Sequence, residues 1–166
     1  EYRYKCDDGL WTNWLAGSSL DCLAGDDGTY TVHGRVRDGG PGFPRVSSYS
    51  TTVTVLNAPP IVGDIDNDTI DEGSLFTTSG SFTDPGPDTW TANVDYGDGT
   101  GTQPLTITGM TFALNHTYDS HGTFFVTVEV TDDDGASDSE TFIVSVLNVS
   151  PQTGIDLALT VAEGDL

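Results

Sequence analysis

The sequence predicts an all-β chain of tandem two-sheet β-sandwiches. Three observations carry that expectation. Apolar and polar residues alternate with period 2 along the patterned stretches, Gly, Pro, Asn and Asp break them at short intervals, and a block of this pattern recurs along the chain. Composition agrees: there are 20 Gly and only 5 Lys plus Arg, a balance that favours short strands and tight turns over long helices. No apolar run approaches the roughly 20 residues that cross a bilayer as a helix.

The recurrence fixes the units. Asn57, Pro60, Glu72 and Gly73 return as Asn148, Pro151, Glu163 and Gly164, and Val53 and Val55 as Val144 and Val146, all 91 residues on. Gly28-Thr29-Tyr30, Val32, Val36 and Asp38 return as Gly122-Thr123-Phe124, Val126, Val130 and Asp132, 94 residues on. The two offsets agree if the hairpin after Asp38 is three residues longer than the one after Asp132. Its Gly39-Gly40-Pro41-Gly42-Phe43-Pro44 content suits an enlarged loop. Residues 1–57 then form the C-terminal portion of a divergent unit, 58–148 a complete unit, and 149–166 the opening strand segment of a further one. A unit of roughly 90 residues suits a β-sandwich.

Within the complete unit, Pro59-Pro60-Ile61-Val62 reads as an extended edge segment, because Pro blocks helix and cannot donate to a ladder. Asp71-Glu72-Gly73 is a turn, and Leu75-Phe76-Thr77 a short strand after it. Ser81-Phe82-Thr83 leads into the turn Asp84-Pro85-Gly86-Pro87-Asp88. Trp90, Ala92, Val94 and Tyr96 share one face of the next strand, and Gly97-Asp98-Gly99-Thr100-Gly101 ends it. Leu105 and Ile107 alternate in a further strand, and Phe112 and Leu114 in another. Phe124, Val126, Val128 and Val130 then line a core face that Phe142, Val144 and Val146 meet across a hairpin.

The charge is extreme and uneven, with 26 Asp plus Glu and a formal net charge of −21. All the cations (Arg3, Lys5, Arg35, Arg37, Arg45) lie in the first 45 residues, and none follows Val46. Nucleic acid and anionic membranes are excluded as partners on this basis, because phosphate binding needs cations. Such a surface either stays solvated or collects divalent cations. Cys6 and Cys22 fit an oxidising compartment. The strand-like opening Glu1-Tyr2-Arg3-Tyr4 reads as an internal piece of a longer secreted precursor.

Three motifs sharpen the fold: Val94-Asp95-Tyr96-Gly97-Asp98-Gly99, His116-Thr117-Tyr118 and Val130-Thr131-Asp132-Asp133-Asp134-Gly135. In order and spacing the complete unit resembles a polycystic-kidney-disease (PKD) domain, an immunoglobulin-like β-sandwich of surface and secreted proteins. That family shows Trp-Asp-Phe-Gly-Asp-Gly, then His-Thr-Tyr, then a strand ending in Asp-Asp-x-Gly. The resemblance implies tandem immunoglobulin-like sandwiches. Val94 stands where the family has Trp, and Trp90 on the same face is placed to fill that volume.

The motif residues read as structural. Asp95 and Asp98 suit Asx turns beside Gly97 and Gly99. Tyr118 sits like the tyrosine corner of such sandwiches, with His116 beside it, and no Ser or Cys nucleophile pattern accompanies that His. By register the first unit has Ala24 for Tyr118, Cys22 for His116 and Cys6 for Tyr96. A Cys6–Cys22 disulfide would offset the lost corner by about 3 kcal/mol in the chain-entropy model. Two buried free thiols are the alternative.

Calcium is the cofactor expected. The resemblance implies Asn57 with Asp84 and Asp88, and the clusters Asp132-Asp133-Asp134 and Asp64, Asp66 and Asp68 offer further oxygens. Trp11 and Trp14, beside Asn13, are candidate glycan contacts or core packing, and Asn67 and Asn115 head glycosylation sequons. His33, His116 and His121 lack metal-ligand spacing.

The function expected is a non-enzymatic structural module of an extracellular or cell-surface repeat protein. Its partners are neighbouring copies or repeats of the same protein, with head-to-tail filament assembly if residues 155–161 complete the first unit of the next subunit. A plain excerpt of a longer array accounts equally for that segment. The alternative function is an adhesion or carbohydrate-binding module appended to a secreted enzyme or adhesin, with carbohydrate or another surface protein as partner.

Overall fold

The computed structural model describes residues 1–7, 9, 10, 12, 13, 16, 21, 22, 25–39 and 45–151. The described residues are all-β. A first sheet is antiparallel and ordered β1 (Tyr2–Cys6), β2 (Gly28–Arg37), β3 (Val46–Val55). The remaining strands form two sheets packed face to face. One is ordered β4 (Ile61–Val62), β6 (Leu75–Thr83), β10 (Thr111–Thr117), β9 (Ile107–Thr108). The other is ordered β5 (Asp68–Asp71), β12 (Ser137–Leu147), β11 (Gly122–Asp132), β7 (Trp90–Asp95), β8 (Gln103–Leu105).

The period-2 pattern dictates this packing. Val126, Val128 and Val130 of β11, Phe142, Val144 and Val146 of β12, and Ala92 and Val94 of β7 are buried. They meet Val62, Phe76, Phe82, Phe112 and Leu114 of the facing sheet in one core. Val126 pairs with Phe142 and Phe124 with Val144, so the long hairpin brings its apolar residues onto one side. Trp90 packs at the margin, edge-on to Phe82 with ring centroids 5.3 Å apart.

Three elements differ from the sequence expectation. Leu75 to Thr83 is a single nine-residue strand, because Gly80 lies under the Phe112 ring and lets β6 continue where a side chain would collide. Leu105 and Ile107 belong to two strands in different sheets: β8 pairs with β7, and β9 with β10. Asp68–Asp71 pairs in parallel with β12, a strand its polar Asp-Thr-Ile-Asp sequence does not announce.

The first sheet repeats part of this plan. Its order β1-β2-β3 corresponds to β7-β11-β12, with Tyr30 opposite Val53 as Phe124 is opposite Val144. The β2–β3 ladder ends at Arg37↔Val46 and the β11–β12 ladder at Thr131↔Ser137. β3 is an edge strand exposed along nearly its whole length, with Tyr49 55% exposed.

Candidate metal centre

The two ends of the sandwich carry different polar chemistry. At the end of β7, Asp95 Oδ1 accepts the Gly97 N–H at 2.8 Å, and Asp98 Oδ1 accepts the Thr100 N–H at 3.0 Å and its hydroxyl at 2.6 Å. These are Asx turns. Asp98 Oδ2 contacts His116 Nε2 at 2.7 Å. The imidazole stacks on Tyr96 at 4.1 Å and meets the Tyr118 ring edge-on at 4.7 Å. Tyr118, 1% exposed, donates its hydroxyl to the Tyr96 carbonyl at 3.1 Å. Burial pushes the Tyr118 hydroxyl well above its usual range, with Asp98 and Tyr96 adding to the effect. Burial alone would raise the Asp98 pKa, but hydrogen bonds from Thr100 and His116 outweigh it and hold the carboxyl at about 2. The arrangement ties the end of β10 and Tyr118 to the loop after β7.

At the opposite end the Asp84–Asp88 turn, the β11–β12 hairpin and the linker from the first sheet converge. Asp84 accepts the Gly86 N–H at 3.2 Å and the Trp90 Nε1–H at 2.9 Å. Asp132 accepts the Ala136 N–H at 2.7 Å and the Asn57 amide at 2.8 Å. The Asn57 hydrogen bond, opposed by burial and aided by backbone N–H groups, lowers the Asp132 pKa. Asp133 accepts the Thr89 N–H at 3.0 Å. Asn57 thus donates a side-chain hydrogen bond, and Asp84, Asp132 and Asp133 each accept at least one.

Asp88 and Asp134 are arranged differently. Their carboxylate oxygens and one of Asp26 all lie within 4.8 Å of one another, and this is the one such group of acids among the described residues. Asp88 is 7% exposed. Burial, then the neighbouring Asp84, Asp26 and Asp133 carboxyls, push its pKa up to about 6. Burial and the nearby Asp27, Asp133 and Asp26 raise Asp134 as well. A cavity of about 230 Å³ at this junction is lined by Asp26, Asp27, Asn57 and Asp88.

Asp26 escaped the sequence reading. Its acidic pair Asp26-Asp27 precedes Gly28 at the positions of Ser120-His121 before Gly122, so the repeat itself gave no cue. Asp64, Asp66 and Asp68 are exposed and do not converge; the Asp68 side chain accepts the Thr69 N–H. Asn67 uses its side-chain oxygen to accept the Ile143 N–H at 2.7 Å, while Asn115 lies exposed on β10. Cys6 and Cys22 form a disulfide with Cα atoms 6.0 Å apart. Cys6 lies opposite Val32 in the β1–β2 ladder. Trp11 and Trp14, the candidate glycan contacts, lie outside the described residues, as do Ala24 and residues 152–166.

Fold and sites together define an immunoglobulin-like β-sandwich module whose polar groups sit at its two ends. A PKD-domain family model matches residues 57–146, and the chain belongs to the PKD-domain family. Domains of this kind are generally non-catalytic and occur in extracellular or cell-surface proteins, appended to enzymes or repeated. The chain is similar to the PKD domain of an M14-like peptidase from Thermoplasmatales archaeon SCGC AB-540-F20. Identity is 25% over 55% of this chain and 98% of that one, with a TM-score of 0.49. It is also similar to the titin domains z1z2 in complex with telethonin, at 16% identity over 90% of this chain and 82% of that one, TM-score 0.43. The I-band fragment I67-I69 from titin gives 15% identity over 89% and 55%, TM-score 0.45. No curated protein matches the chain. No helix among the described residues is long and apolar enough to cross a membrane.

Proposed function

We propose that the chain is a structural spacer: tandem sandwich units held at a set angle in an extracellular or cell-surface repeat protein. The observation carrying this reading is the junction. Between β3, ending at Val55, and β4, starting at Ile61, only five residues intervene. Among them Pro60 is fully buried and Asn57 is bonded to Asp132 of the following sandwich. A linker with a fixed Pro φ and a buried anchor leaves neighbouring units little freedom to swing. Small-angle scattering of the chain tests this. A single inter-unit separation is expected, and Asn57→Ala with Pro60→Gly should broaden it. A wild-type profile that already requires a broad ensemble would refute the spacer.

The finer reading is assembly by strand donation. On the outer edge of β12, Val144 to Leu147 pair in parallel with Asp68 to Asp71 of β5. The same 91-residue offset relates Val53–Leu56, on the exposed edge of β3, and residues 159–162 to these two partners. Residues 159–162 of one copy would therefore pair in parallel with residues 53–56 of the next, a head-to-tail contact that does not close. Deleting residues 149–166 should abolish polymers seen by electron microscopy. Polymers that persist would refute donation.

A further inference from the structure

We propose that copies of this chain pack side by side, the basic face of the first sheet on one copy docking against the outer face of the five-stranded sheet on the next. This goes beyond the spacer reading and does not rest on it.

The repeat sets opposite charges at matched positions. Strand alternation puts Arg3 and Lys5 of β1 and His33, Arg35 and Arg37 of β2 on one face of the first sheet, with Arg3 opposite Arg35 and Lys5 opposite His33. Four of the chain's five Lys and Arg residues thus share one face. Strand β3 adds Ser48, Ser50 and Thr52 beside them. Glu1 pairs with Arg37 at the margin, and Arg3, Lys5 and Arg35 form the centre. In the PKD domain, Asn93 lies opposite Glu129 and Asp95 opposite Thr127. Glu129 and Thr127 are 94 residues beyond Arg35 and His33, the offset of the repeat. Lys5 therefore corresponds to Asp95, Arg35 to Glu129 and Arg3 to Asn93. The charge of this face is reversed between the two units.

The acidic face is shaped to receive a cation-bearing side chain. Val94, Val126, Val128 and Val130 point into the core, so Asp95, Thr127 and Glu129 face away from it. A cavity of about 170 Å³ on that side is lined by Asn93, Asp95, Thr102, Thr127, Glu129 and Ser139. Asp95 Oδ1 accepts the Gly97 N–H at 2.8 Å, which sets this carboxylate in place, and Glu129 is exposed. A guanidinium pairs with carboxylates in a two-point fork and has further N–H groups for neighbouring hydroxyls. On the same face of β11, Phe125 is 60% exposed and stands opposite Ile143. Aromatic anchors of this kind are what protein contacts bury, and the stems and heads of Arg and Lys pack well on them. At the matched place the basic face has Thr31 opposite Thr52, so the apolar patch belongs to the acidic face alone.

The chain itself supplies the partner. No Lys or Arg follows Val46, so in an array of copies the first unit is the source of cations for the acidic face. The two faces are different surfaces, so each copy can use both in a heterologous contact. Like faces repel, which disfavours other pairings. At physiological ionic strength charges more than about 8 Å apart are largely screened, so adjacent opposite charges can meet despite the net charge of −21.

Sedimentation velocity of the full 166-residue chain over a concentration series, at an ionic strength of about 0.15 M, is the test. Reversible, concentration-dependent association is expected. Arg35→Glu and Glu129→Arg should each weaken it at least about tenfold, because each brings like charges into contact. Mixing the two variants, or placing both changes in one chain, should restore it, which a folding defect would not do. A wild-type chain that stays monomeric, wild-type association by either single variant, or no recovery on recombining the charges overturns the contact. Association that ignores both substitutions and is lost on deleting residues 149–166 belongs to strand donation and also overturns it. A monomeric chain retained on heparin resin by wild type and released by Arg35→Glu would assign the basic face to a sulfated glycan instead.

Discussion

Replacing Gly97 and Gly99 by Ala, one at a time, separates two reasons for a glycine in the turn after β7. Both have positive φ, +73° at Gly97 and +89° at Gly99. Ala in that region costs about 1–2 kcal/mol at either position. Their surroundings differ. A Cβ on Gly99 would meet nothing within 4 Å, whereas one on Gly97 would lie 2.5 Å from the Phe125 carbonyl oxygen and 3.1 Å from its nitrogen. Phe125 lies in the middle of β11, paired on its other side with Ile143, so that backbone cannot retreat without disturbing the central hairpin. Forced overpacking of this kind costs about a further 1–3 kcal/mol. Gly99→Ala should therefore lower stability by about 1–2 kcal/mol and Gly97→Ala by about 2–5 kcal/mol. For a domain of this size each kcal/mol moves the melting midpoint by about 4–8 °C. Urea denaturation followed by far-UV circular dichroism is the assay, with an unchanged m-value showing that the same transition is compared. Equal losses for the two variants would refute the close approach of the loop to β11.

Two further outcomes follow from the geometry. Cys22→Ser opens a loop closed by a sequence separation of 16 residues and should destabilise the first unit by about 3 kcal/mol. Calorimetry should show its transition falling while that of the PKD domain stays in place; a matching fall in both would show that the units melt as one. Asp98, held at about 2 when folded, contributes stability that is complete above its unfolded pKa near 4 and is lost as pH falls from there toward 2. The contribution is about 2 kcal/mol at most. Asp98→Asn should flatten the stability profile between pH 5 and 2, and a variant with the wild-type slope would show that Asp98 is not responsible for it.

Much of the sandwich was legible because its core strands are amphipathic at period 2. β7, β11 and β12 announce themselves through Ala92 and Val94, Val126 to Val130, and Phe142 to Val146. What escaped lacked that signal. β5 is a short polar edge strand defined by its parallel partner rather than by its own side chains. β8 and β9 are separated only by Thr106, where the chain passes from one sheet to the other, and alternation looks the same across that step. At the acidic end, local sequence identified Asp84, Asp88 and Asp132–Asp134 as clusters but not which carboxylates face one another. That depends on hydrogen bonds such as Asn57 to Asp132, which span 75 residues. The arrival of Asp26 is a property of how two units abut.

The chain enters the sandwich beside Asp132 and leaves it from Leu147, next to the Tyr118 corner, at the other pole. A pull applied between neighbours therefore runs along the strands. The parallel β5–β12 ladder then resists as a set of bonds sheared together, instead of opening one by one like a zip. Glu72 reinforces that exit, accepting the Val149 N–H through one oxygen and the His121 N–H through the other. Under such a pull, the placement of the domain's two ends at opposite poles loads that ladder in shear.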